Sequence, residues 1–417
     1  MSDLRALWAR FTLGFWFLPG VIVVSFATIA IGAIAIEQWV PSDGAIPHTF
    51  DGDAEAARSI LSSIAGGFIT VAGVALSITI VTLQLVSSQY SPLALSTFLS
   101  DRANQVVVGA LVGIVVYALL VLRVVRSGGD NAIADEFVPR VAVTLGMLAA
   151  LFGLALLVYF VHHLATSIQV TAITRRVAAE TRDGIATLYP EPFAEPEPDE
   201  ADELLGEWGR GEVPGVVTAG RAGYVQTVDV DEALGRLPAE ARAYVPARPG
   251  DFVTDADPLV LVWPAALADD GLVRAVRRAV GINSERSRVQ DVLLGLRQLG
   301  DIALRALSPS LNDPTTAVTC VGYLRAALEE LADRAFPSRA RELGTGARAV
   351  VERPSFDEYL QPLVEVGRHA AGEPRVLDAV VEALARIERR AQDAGAGAHA
   401  AAAASARADV SAAAAEG

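Results

Sequence analysis

Four stretches of this chain, at roughly 11–36, 60–86, 105–125 and 138–162, are long and apolar enough to cross a bilayer. A spanning helix needs about 20 predominantly apolar residues. Lipid leaves the backbone little choice but helix, because nothing there satisfies an open amide. The four runs concentrate the apolar excess, 52% of 417 residues. The expected fold is an α-helical multi-pass membrane domain of four spans over 1–165, followed by a cytoplasmic α+β domain. The first run follows Arg5 and Arg10, as a secretory leader would. Its length exceeds the roughly 7–15 apolar residues of a leader's core, and no small-residue cleavage site follows, so an uncleaved anchor is expected.

Loop charge orients the spans. Glu37, Asp43, Asp51, Asp53 and Glu55 face only Arg58 in the loop at 37–58, whereas Arg175, Arg176 and Arg182 follow the fourth span. The positive-inside rule then puts 37–58 outside and both termini in the cytoplasm of a bacterial inner membrane. The 126–140 loop, with Arg126 and Arg140, fits this less cleanly.

The second span is not plain hydrocarbon. Ser59, Ser63, Gly66, Thr70, Gly73 and Ser77 recur at steps of four, three, four, three and four, and Gln84 lies near the end. That period, near 3.5, makes one face of a helix. Small-xxx-small pairs such as Gly66/Thr70 and Gly73/Ser77 let helix backbones approach in lipid. Packing against another helix is the first reading, in a homo-oligomer or within the chain; a stripe lining a polar pathway is the second. No ionisable group lies within the core of this span, against a proton relay. The following Gln89, Tyr90, Ser91 and Pro92 read as a membrane-proximal turn, with Tyr90 at the interface and Pro92 stopping the helix. A gate, or a contact with the soluble domain, is the alternative there.

Beyond the membrane the texture changes. Residues 166–190 read as a helical connector and 191–212, through EPFAEPEPDEADE, as an acidic Pro-rich linker. Residues 213–268 carry short β-type runs punctuated by Gly and Pro, suggesting a small antiparallel β unit. Residues 269–392 read as helical, and the Ala/Gly-rich 393–417 as a disordered tail.

Composition excludes several chemistries. The net charge is −15, opposite to the clustered cations that nucleic acid requires. The single cysteine, Cys320, excludes an intramolecular disulfide and reads as a small buried apolar residue. His162 and His163 are adjacent and point about 100° apart on a helix, so they do not chelate one metal together. No phosphate loop, zinc-protease or nucleophile-elbow motif occurs. No enzyme activity, cofactor or metal is expected. In the soluble region Arg297, Asp301 and Arg305 recur at i, i+4 and i+8, with Asp291 upstream and Asn312 and Asp313 in the next turn. The spacing suits an intrahelical ion-pair ladder, with Asp313 as N-cap and Pro314 at the first helical position. An anion site at the new helix N-terminus is the sharper alternative.

Together ITVAGVALSITIVTLQLVSSQYSP, FLSDRANQVVVGALVGIVVYALLVLR, GYVQ, RPGDFV and QDVLLGLRQLGDIALRALSPSLNDPTTAVTC resemble a family of bacterial predicted membrane proteins, domain of unknown function 2254. The resemblance runs in order from about residue 10 to 335, with a weaker helical remainder to about 390. Leu93 stands where the family motif has arginine after the proline, so no anion contact carries over to that loop. Ser310 replaces the motif's glycine in SPSLNDP. The resemblance implies a multi-pass inner-membrane protein with a soluble C-terminal region and names no activity. Two readings of function stay open. One is a channel- or transport-like assembly with a cytoplasmic sensing or gating domain. The other is a non-transporting scaffold or sensor that binds a partner.

Overall fold

The computed structural model describes residues 16–39, 49–89, 101–126, 137–167, 170–193, 200–209, 212–370 and 372–416. They fall into two compact units, Met1–Gln169 and Val170–Gly417.

The first unit holds four helices long and apolar enough to cross a membrane. They are α1 (Phe17–Trp39), α2 (Ala54–Gln89), α3 (Arg102–Leu122) and α4 (Arg140–Ser167). The sequence placed all four within a few residues. Helix α3 is the centre: 67% of its span is buried, against 17, 28 and 22% for α1, α2 and α4. Glycine decides how closely its neighbours come. A Cβ on Gly109 would sit 2.8 Å from Cα of Pro19, and one on Gly113 2.6 Å from the Phe26 ring, so α1 lies directly on α3. Gly146 of α4 faces Tyr117 and Leu61, and Gly153 faces Phe68 and Ile114. Polar groups fasten one end. The Tyr117 hydroxyl donates to the Ala142 carbonyl at 2.8 Å, Val141 N–H donates to the Glu37 carboxylate at 2.6 Å, and Arg58 donates to the Val125 carbonyl at 3.0 Å.

The second unit is mixed. One sheet has strand order β1-β5-β3-β8-β7 and the other β4-β2-β6. The strands are β1 (Gly215–Thr218), β2 (Gly223–Val228), β3 (Arg242–Val245), β4 (Phe252–Val253), β5 (Pro258–Trp263), β6 (Val280–Asn283), β7 (Ala340–Glu342) and β8 (Arg348–Val351). The expected antiparallel β unit at 213–268 is therefore too small. It recruits β6, β7 and β8 from the region read as helical, and β3 pairs with β8 in parallel. A parallel pair needs a long crossover, which short-range punctuation in a sequence does not reveal.

The helices here are α5 (Val170–Leu188), α6 (Ala201–Trp208), α7 (Val230–Leu234), α8 (Asp270–Ala279), α9 (Val292–Ala306), α10 (Pro314–Ala332), α11 (Phe356–His369), α12 (Pro374–Asp393) and α13 (Gly397–Glu416). Three boundary expectations are corrected. Helix α5 is no bare connector: Val177, Ala178 and Ile185 are buried in the main helical core with α9 and α10. In the expected linker, 194–199 lies outside the described residues, but α6 buries Ala201, Leu204 and Trp208 against Trp263 and Val350. The tail expected to be disordered is helix α13, with Ala400, Ala403, Ala406 and Val410 buried in the same core. Alanine is the strongest helix former, and the spacing of these four makes one stripe. A composition reading discounts alanine because each buries little area.

Val410 lies against Gly367 of α11, where a Cβ would sit 2.7 Å from its Cγ1 and 3.0 Å from Val380. Gly367→Ala is expected to lower stability by about 1–3 kcal/mol through overpacking, and deletion of 397–417 to lower the melting temperature of the full chain. Thermal unfolding checks both. A disordered tail would leave the deletion without effect.

Candidate functional site

Helix α2 has two unlike faces. Ala57, Leu61, Ala65, Phe68, Ala72 and Ala75 are buried within the bundle. Ser59, Ser63, Gly66, Thr70, Gly73, Ser77 and Gln84 are all exposed in the single chain. The two glycine sets of the membrane unit differ in the same way. Around Gly66, Gly67 and Gly73 nothing lies within 4 Å of an added Cβ, unlike the tight contacts at Gly109 and Gly113. The small-residue seam is thus not spent on packing within this chain. One of its hydroxyls turns inward to its own helix: Thr70 Oγ1 donates to the Gly66 carbonyl at 3.1 Å. Of the membrane-proximal turn, Tyr90, Ser91 and Pro92 lie outside the described residues, and Gln89 is the last residue of α2.

In the second unit the structure separates the residues grouped by sequence. Asp291 is the N-cap of α9, accepting from Leu294 N–H at 3.0 Å, and it is buried. Arg286 pairs with it at 2.6 Å. Gly250, from RPGDF, closes over this pair at φ +96°, and a Cβ there would strike both Asp291 Oδ2 and Arg286 Nη2. Only glycine suits that conformation and that gap. Burial pushes the Asp291 carboxyl above its usual range, against the pull of Arg286 and the Leu294 N–H. By contrast Arg297, Asp301, Arg305, Asn312 and Asp313 are exposed. Among the described residues no ion pair joins Arg297 to Asp301; the local pairs run from Arg286 to Asp291 and from Arg288 to Glu180.

Asp313 caps α10 as expected, accepting from Thr316 N–H at 3.1 Å and its hydroxyl at 2.6 Å, bonds that hold its carboxyl below the usual range. Asn312 precedes it at φ +45°, a left-handed position that asparagine tolerates. Ser310 needs no such backbone, so the serine in place of the motif's glycine is accommodated. Cys320 is fully buried, and burial pushes its thiol up to about 12, which fits the small apolar role expected of it.

Sequence reasoning missed two polar groupings. In the second unit, Tyr189 and Tyr359 share a hydroxyl–hydroxyl hydrogen bond of 2.7 Å inside the core. Burial raises both tyrosines and lowers Arg353 beside them, whose buried Nε has no partner. In the first unit, Asp101 caps α3 and pairs with His163 of α4 at 2.7 Å, one turn from buried Asn104. Asp101 and Asn104 sit in the SDRANQ stretch, whose polar residues run straight into an apolar span. That was the available signal.

Asp291→Asn keeps the capping acceptor and removes the charge, whereas Asp291→Ala removes both. Each leaves Arg286 without its counter-charge, and the alanine variant, which also loses the cap acceptor, is expected to lower the urea midpoint of the full chain. The alanine variant should lose about 1 kcal/mol more. Because the folded carboxyl is raised, the native chain holds this proton more tightly than the unfolded one. Its contribution to stability is therefore full at low pH and falls as pH rises past the ordinary value of 3.8. Asp291→Asn should remove that slope. Equal losses in the two variants, or an unchanged slope, would contradict this role.

The structure gives a four-helix apolar unit with an open seam and an α+β unit, and known proteins are similar in sequence over most of the chain. The model of the family described as "Predicted membrane protein (DUF2254)" matches residues 13–386. Uncharacterized protein Rv1290c of Mycobacterium tuberculosis (strain H37Rv) is 35% identical over 391 residues, covering 91% of this chain and 72% of the relative. Uncharacterized protein Mb1321c of Mycobacterium bovis matches with the same identity and coverage. No solved structure matches. Family model and relatives agree over nearly the whole chain: it belongs to the predicted membrane protein family, domain of unknown function 2254.

Proposed function

We propose that this protein is a non-enzymatic, multi-pass protein of the bacterial inner membrane that assembles with copies of itself along the α2 seam. Both termini face the cytoplasm, and the α+β unit is a sensing or gating domain for a channel- or transport-like assembly. The observation that carries this reading is the division of α2. Its alanine and leucine face is used by its own bundle, while Gly66, Gly73 and their small neighbours stay uncovered. In lipid, helices associate through close packing and hydrogen bonds rather than by escaping water. A glycine-lined face therefore gains most from another helix. A second copy brings the same face, as a closed symmetric assembly requires.

The scaffold reading, in which the seam only packs and no polar path exists, draws support from Thr70. Its hydroxyl is already bonded to its own helix and needs no water. Gly73→Leu distinguishes assembly from its absence. There is open space at Gly73 within the chain, so the variant should fold as a monomer yet lose the oligomer by size-exclusion light scattering in detergent. An oligomer that survives Gly73→Leu contradicts the seam. Ser77→Cys in a Cys320→Ala background separates the two readings. Labelling by a water-soluble thiol reagent in the native oligomer is expected for a polar path, and protection for a packed scaffold.

A further inference from the structure

Asn104 is 2% exposed, and neither its amide nitrogen nor its amide oxygen has a hydrogen-bond partner. It lies in the first turn of α3, three residues after the Asp101 cap. An amide buried without partners is costly in an apolar surrounding, and a polar side chain kept in a span points to a pathway or ligand. Its surroundings can be placed by stepping along the packed helices. Ala75 of α2, Val107 of α3 and Phe160 of α4 belong to one core cluster. One helical turn further in the same direction come Thr79, Asn104 and His163. Thr79 and, beyond it, Thr82 are each 3% exposed. His163 is held at 2.7 Å from Asp101 Oδ2. Stepping past the apolar layer thus brings carboxylate, amide and hydroxyl oxygens to about one level of the bundle, Thr79 Oγ1 spending its proton on the Ala75 carbonyl at 2.8 Å and keeping its lone pairs.

We infer that this layer, formed by Thr79, Thr82, Asp101 and Asn104 with His163 fixing the carboxylate, is a binding site for one alkali cation, sodium or potassium. The donor set decides the class. Carboxylate, amide carbonyl and hydroxyl oxygens are hard ligands. Asp101 is the one carboxylate among these donors, so a monovalent ion balances it. Calcium takes six to eight oxygens, usually several of them carboxylate, and among the described residues no group of three His, Cys, Asp or Glu could hold a metal. An anion would meet Asp101. The site lies inside the bundle of one chain and does not rest on assembly through the seam.

The test is thermal unfolding of the full-length protein in detergent, in sodium chloride, potassium chloride or choline chloride at equal ionic strength. A ligand that binds only the folded state raises its melting temperature with concentration. The wild type is expected to melt higher in sodium or potassium than in choline, saturably. Asn104→Leu should abolish that increment without melting lower in choline, since leucine removes an unpartnered amide. If Asn104→Leu does not fold, Thr79→Val and Asp101→Asn are read by direct binding of radioactive sodium or rubidium, with a loss of at least tenfold in affinity expected. Identical melting of the wild type in all three salts overturns the site, as does an increment retained in Asn104→Leu or undiminished binding in the substitutes.

Discussion

Close approach of backbones, set by where the chain places glycine and alanine, is what the membrane unit depends on. Inside a bilayer the hydrophobic effect does not draw one helix to another. Contact must come from van der Waals packing, which fades within an ångström of separation. Gly109 and Gly113 let α1 settle on α3, Gly153 lets α4 close over Phe68 and Ile114, and the alanines of α2 complete the layer. Large residues at these positions would hold the helices apart. The same rule makes the uncovered glycines of α2 informative, because there the chain has small residues and no neighbour.

The two units apply opposite strategies to polar groups. Among the described residues the first unit places its charged groups toward the helix ends, where Glu37 meets Val141 N–H and Asp101 meets His163. The second unit takes a few of its polar groups into the core. Asp291 is buried with Arg286 half-buried beside it, and Tyr189 and Tyr359 meet inside the main helical core. Buried polar pairs of this kind contribute little net stability but penalise misplacement heavily. Gly250, pressed on Asp291 and Arg286, ties the loop before β4 to the start of α9.

The spans were legible because length and hydropathy alone decide them, and the Asp313 cap because its chemistry is local. Which face of α2 would be taken by its own chain was not legible. The stripes Ala57–Leu61–Ala65–Phe68 and Ser59–Ser63–Gly66–Thr70 both repeat at helical spacing, and only the neighbours choose between them. The α13 helix was lost because Ala400, Ala403 and Ala406 look like low complexity until the fold buries them in the main helical core, with Val410 of the same helix against Gly367. The pairing of β3 with β8 joins residues about a hundred positions apart (242–245 with 348–351), beyond any local pattern. The Arg297, Asp301 and Arg305 spacing was real, yet it describes an exposed helix face; Asp291 went inward instead.

The central claim is that the open face of α2 is occupied by a second copy of this chain. A structure of the protein in a lipid bilayer tests it most directly. The expected result is neighbouring copies whose α2 helices cross with Gly66 and Gly73 at the contact, their axes about 8 Å apart. Acyl chains lying along Gly66 and Gly73, with the copies separate or joined elsewhere, would contradict it.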